Sequence, residues 1–132
     1  ALILLNRAVN TDDSGQSMNE IPVNRYVDDF IRAVEAEYIE RHDVEYYADK
    51  LCITPNYLNK VIRQSLGTTA KLYIHKKLFE EAERLLVYTT LTVTEIAERL
   101  HFDSSSYFIR FFRKQTGITP LKYREKKNSP QK

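Results

Sequence analysis

The chain has 132 residues, 42% of them hydrophobic, with three glycines and four prolines. That length suits one compact domain or two very small ones, and so few turn residues argue against a β-rich fold. The net charge of +2 hides an asymmetry. Residues 1–50 carry 5 Lys/Arg and 11 Asp/Glu, whereas residues 51–132 carry 15 and 7. Segments 54–77 and 104–124 each hold five basic residues and no acid, a distribution that suits two contacts with a polyanion. No apolar run approaches the roughly 18 residues of a membrane span, so no membrane contact is expected of this segment. One cysteine, Cys52, rules out an internal disulfide and a multi-cysteine metal site, and fits a reducing cytoplasm.

The opening ALILLNRAVN is too short an apolar run for a signal peptide. It reads as the end of a helix from an upstream domain, with the polar stretch 10–22 as a linker. From Asn24, a candidate N-cap, to about Glu40, residues Val27, Phe30, Ile31, Val34 and Tyr38 recur at helical spacing.

A repeat follows. Val44, Tyr47, Ala48 and Leu51 take the same helical spacing as Val93, Ile96, Ala97 and Leu100, 49 residues later. Asp43 and Thr92 precede these short helices as N-caps, and Thr92 with Glu95 forms a capping box. One extra residue near Asp103 then shifts the offset to 50, pairing Tyr57 with Tyr107, Arg63 with Arg113, Gly67 with Gly117 and Tyr73 with Tyr123. Second helices start at Thr54, with Pro55 at the first helical position, and at Ser104. They end at Gly67 and Gly117 as left-handed C-terminal glycines. Between the units, residues 70–87 form one long helix with Ile74, Leu78, Ala82 and Leu85 on its buried face. Thr119-Pro120 opens a short final helix. The expectation is an all-α, seven-helix fold of two helix-turn-helix subdomains joined by a long linker helix. The divisions are 1–22 (upstream end and linker), 23–68 (first subdomain), 69–88 (linker helix), 89–127 (second subdomain) and 128–132 (disordered tail).

In a helix-turn-helix the second helix enters the major groove with its N-terminal residues on base edges. The first such helix assigns Tyr57, Leu58, Val61 and Ile62 to the core. The second assigns Tyr107 or Phe108, Phe111 and Phe112, and its aromatics are read as core rather than as stacking platforms. What remains outward is polar and basic. Asn reads adenine and Arg or Lys reads guanine through paired hydrogen bonds, while Ile109 offers only apolar contact. Lys71, Lys76, Lys114 and Lys122 are placed to touch phosphates, as are Thr54, Arg63, Thr69, Ser104, Arg113 and Thr119. His42, His75 and His101 lack ligand spacing. No metal, cofactor or catalytic constellation is expected, and the chain does not read as an enzyme.

The string TVTEIAERLHFDSSSYFIRFFRKQTGITPLKYR resembles the C-terminal signature of the AraC/XylS family of bacterial transcription regulators, and YYADKLCITPNYLNKVIRQSLGTTAKLYI resembles the family's first helix-turn-helix. The likeness covers residues from about 24 to 126. It implies a cytoplasmic, nucleoid-associated activator that binds double-stranded DNA and recruits RNA polymerase. It also implies an upstream effector or dimerisation domain. By position in the motif, base contacts fall on Asn56, Asn59 and Lys60, and on Ser105, Ser106, Ile109 and Arg110. The turn residue after each short helix is often Gly in the family. Here it is Cys52 and His101. Two serines and an isoleucine make a weak direct reader, so the second unit is expected to act more through backbone contacts and shape. A helical protein–protein module, or the DNA-binding part of a larger enzyme, are the alternative readings.

Overall fold

The computed structural model of the chain describes residues 23–128; the expected upstream helix end, the linker before Val23 and residues 129–132 lie outside them. The described residues form seven helices and no strand: α1 Val23–Glu37, α2 Val44–Lys50, α3 Pro55–Leu66, α4 Ala70–Tyr88, α5 Val93–Arg99, α6 Ser105–Thr116 and α7 Pro120–Asn128. Asn24 is not a cap, because α1 already includes Val23. That helix ends at Glu37 rather than Glu40, and residues 38–40 form a turn. The final helix runs to Asn128, the first residue of the expected tail.

The helix starts follow the sequence closely. Asp43, Thr54, Thr69, Thr92 and Ser104 each accept a hydrogen bond from a backbone N–H three residues on. Glu95 returns the bond to Thr92 N–H at 2.8 Å, closing the capping box. Such caps matter for α2 and α5, which at seven residues each are too short to persist alone.

Each short helix ends in the same way. Ile53 N–H reaches Ala48 O at 3.0 Å and Cys52 N–H reaches Asp49 O at 3.0 Å. In the second unit Phe102 N–H reaches Ala97 O at 2.9 Å and His101 N–H reaches Glu98 O at 3.0 Å. This is the Schellman pattern, which needs one left-handed residue. Cys52 (φ 61°) and His101 (φ 62°) supply it although neither is glycine. A side chain there costs about 1–2 kcal/mol of backbone strain. The apolar residue after each turn, Ile53 or Phe102, packs back on the core.

Ala48 and Ala97 are buried at the helix crossings, where a larger side chain would hold α3 and α6 away. In the first unit α1 covers α2 and α3, with Phe30 edge-on to Tyr47. In the second, α5, α6 and α7 close around Phe108 and Phe112. The 19-residue helix α4 spans about 28 Å and packs against α3 at one end and α5 and α7 at the other. Ile74, Leu78, Ala82 and Leu85 are its buried face, as the spacing indicates. Arg124 secures the far end by donating to Leu86 O at 2.8 Å, with longer bonds to Leu85 O and Thr89 O.

The core assignment fails at Tyr57, and the choice between Tyr107 and Phe108 falls to Phe108. Tyr57 is 38% exposed and Tyr107 47% exposed, whereas their neighbours Leu58 and Phe108 are fully buried. Each second helix fills its buried face with three residues: Leu58, Val61 and Ile62, or Phe108, Phe111 and Phe112. The tyrosine one place earlier falls on the rim.

Candidate nucleic-acid interface

The two acid-free segments hold ten basic residues. Two are used inside the protein. Lys77 pairs with Glu35 on α1, and Arg124 caps α4. The other eight, Lys60, Arg63, Lys71, Lys76, Arg110, Arg113, Lys114 and Lys122, make no ion pair among the described residues, and all are exposed. The ion pairs that do form lie on α1, α2 and the later turns of α4: Arg25 and Arg32 with Asp29, Lys50 with Glu37, and Arg84 with Glu81. These eight cations therefore lie on α3, α6 and the first turns of α4 and α7.

On α3, Asn56, Lys60 and Arg63 are exposed on the side away from Leu58 and Ile62. Asn59 differs. It is half-buried, and its Oδ1 accepts the Ala70 N–H of α4 at 3.0 Å. On α6, Ser106 and Arg110 are exposed while Ser105 and Ile109 are half-buried. The Arg110 guanidinium lies 5.8 Å from the centre of the Tyr107 ring, which keeps the side chain beside the helix start. Thr54, Thr69, Ser104 and Thr119 accept backbone hydrogen bonds through their side-chain oxygens, leaving each hydroxyl hydrogen to donate elsewhere.

Tyr57 and Tyr107, absent from the sequence-based site, occupy the third position of α3 and of α6. Tyr26 props the first ring edge-on at 5.7 Å, and Phe102 props the second at 5.7 Å. Neither hydroxyl has an intramolecular hydrogen bond among the described residues. The signal was the 50-residue pairing of two tyrosines beside an already complete apolar triplet.

The units also touch directly. The His42 ring, before α2, lies 5.0 Å from Phe102 in the second unit's turn. His42, His75 and His101, which sequence spacing does not group, line one cleft of about 480 Å³ between the units. Among the described residues no group of three potential ligands could hold a metal ion. A neighbouring hollow of about 730 Å³ is lined by Lys71, Leu72, Tyr107, Arg110, Arg113 and Lys114, with no acid on its wall.

His75, half-buried against Phe111 at 5.2 Å, titrates below the ordinary histidine value of 6.5. Burial is the main cause; Lys71, His42 and Lys114 add repulsion. The unfolded chain then binds the proton more readily than the folded one. Stability is therefore full above pH 6.5 and declines as pH falls from there toward the lowered folded value. Melting temperatures across that range should show the decline in the unsubstituted chain and a shallower one in His75→Phe.

A family model described as a helix-turn-helix domain matches residues 47–126. The C-terminal domain of the two-component response regulator yesN from Fusobacterium nucleatum is 30% identical, with a TM-score of 0.71, over 76% of this chain and 99% of that one. The chain belongs to the AraC/XylS family of helix-turn-helix transcription regulators. Within it, the xylose operon regulatory protein of Escherichia coli K12 is 32% identical over 67% of this chain. The DNA-binding domain of AdpA, solved in complex with a target DNA, is 26% identical with a TM-score of 0.66, over 81% of this chain and 93% of that one. The chain spans only 13% to 29% of the length of the curated relatives YtdP of Bacillus subtilis and RhaR of Cronobacter sakazakii. No helix among the described residues is long and apolar enough to cross a membrane.

Proposed function

We propose that this AraC/XylS domain binds double-stranded DNA sequence-specifically, placing α3 and α6 in successive major grooves with α4 as the spacer. The observation that carries the reading is that, among the described residues, eight of the ten cations in the two acid-free segments are exposed without an ion pair on α3, α6 and the first turns of α4 and α7, while Lys77 and Arg124 are consumed internally. The length of α4 is of the order of the roughly 34 Å between such grooves, and the His42–Phe102 contact adds a second connection. A site whose natural spacing differs would be bent at a cost of a few kcal/mol.

Asn56 and Lys60 are the strongest base readers, with Ser105, Ser106 and Arg110 in the second unit; Ile109, half-buried, adds limited apolar contact. Arg63, Lys71, Lys76, Arg113, Lys114 and Lys122 hold phosphates, together with the hydroxyls of Thr54, Thr69, Ser104 and Thr119. The Tyr57 and Tyr107 hydroxyls join this set. The domain serves a bacterial activator acting on the nucleoid in the cytoplasm, with RNA polymerase as its protein partner and an effector domain upstream. RhaR of Cronobacter sakazakii, a transcriptional activator by name, is 31% identical.

Two substitutions separate reading from positioning. Lys60→Ala should lower the ratio of specific to nonspecific affinity by about tenfold, since a lost base pairing costs about 1–3 kcal/mol of discrimination. Lys76→Ala should weaken all sequences alike. Fluorescence anisotropy on a selected and a scrambled duplex measures both. An unchanged ratio for Lys60→Ala would remove α3 from base reading.

A further inference from the structure

Asn59 and Ile109 occupy the same place in the two recognition helices, 50 residues apart, and Ala70 and Pro120 open the helices that follow at the same offset. In the first unit the Asn59 amide oxygen takes the Ala70 N–H at 3.0 Å. Ala70 is fully buried, so water does not serve that N–H. Leu72 N–H goes to the Thr69 hydroxyl and Tyr73 N–H to Thr69 O. Asn59 thus satisfies a backbone donor at the start of α4 that the cap leaves over. In the second unit the corresponding residue, Pro120, has no N–H, and the corresponding side chain is the hydrocarbon Ile109. An acceptor stands where there is a donor; an apolar group stands where there is none.

We propose that Asn59 is a positioning residue whose amide oxygen seats α3 on the first turn of α4, and that the pairs 59/70 and 109/120 are two chemical forms of one joint. Reading adenine through two hydrogen bonds needs both ends of the amide. The oxygen of Asn59 is turned to Ala70 instead. Its place between Asn56, Lys60 and Arg63 on the helix means that the joint sets the roll of those side chains toward DNA. The consequence for recognition rests on the DNA-binding reading above; the joint itself does not.

The test is a set of variants of this chain, measured by urea unfolding and by the affinity ratio of a duplex selected from a random pool over a scrambled duplex. Asn59→Ala leaves a buried N–H unpaired and should lower the folding equilibrium constant roughly tenfold or more. Asn59→Asp keeps the acceptor beside a helix N-terminus and should hold most of that stability. The exchange Asn59→Ile with Ala70→Pro copies the second unit's joint. Thr69 is already extended at φ −87° and ψ 162°, and the first helical position tolerates proline. The double variant should regain the stability and the affinity ratio that Asn59→Ile alone loses. Equal losses in Asn59→Asp and Asn59→Ala would overturn the proposal. So would a double variant that regains stability but not the ratio, since Asn59 would then be reading a base. Failure of any duplex to emerge from selection would count against DNA binding, while the unfolding measurements would still decide the joint.

Discussion

Affinity for duplex DNA should fall by about 10³–10⁵ between 50 and 200 mM salt, the loss expected when six to ten phosphates are neutralised. The eight exposed cations without an ion pair among the described residues, on α3, α6 and the first turns of α4 and α7, six of them proposed to hold phosphates, set that range. Each neutralised phosphate releases condensed counterions, and the free energy of that release shrinks as bulk salt rises. Lys71→Ala and Lys114→Ala should each reduce the slope of log affinity against log salt by roughly one. Titrations at four or five salt concentrations give the slope directly. A flat profile would favour the alternative of a helical protein–protein module.

The second large effect is on stability. Phe112→Ala should cost about 3–5 kcal/mol, a sizeable part of the 5–15 kcal/mol typical of a folded domain. Phe112 is fully buried and meets Phe79 of α4 at 5.2 Å, Tyr123 of α7 at 5.2 Å and Phe108 at 6.1 Å. It is the side chain through which the second recognition helix holds both the spacer and the last helix. Tyr107→Ala, five residues earlier on the exposed rim, should cost about 1 kcal/mol or less. Urea unfolding of the two variants compares them on one scale. A Phe112→Ala loss no larger than that of Tyr107→Ala would contradict the packing of α6.

Much of the fold was legible because its determinants are local. A cap and its partner lie three residues apart, and Thr92, Thr54 and Ser104 act where the sequence puts them. The duplication made the turns legible too: Cys52 and His101 hold equivalent places, and both adopt the left-handed conformation that a turn of this kind demands. Periodicity was less sharp across a helix. It could not separate Tyr57 from Leu58, because adjacent residues differ by only about 100° and the edge of a buried stripe is decided by what packs on it. Tertiary pairings were out of reach. Nothing near Lys77 or Arg124 in the chain shows that one meets Glu35 and the other the end of α4. Asn59, assigned to base reading by its place in the motif, turned out to hold a backbone donor 11 residues away. The histidine cleft is likewise a product of the units' contact rather than of spacing.

On the proposed function, α3 and α6, held on the one spacer α4, engage one DNA face together. Selection of bound duplexes from a random pool, followed by sequencing, tests it most directly. Two preferred blocks should emerge with centres about 10–10.5 base pairs apart, the block read by α3 more sharply defined than the block read by α6. A single preferred block, or two at freely varying separation, would contradict joint engagement by α3 and α6.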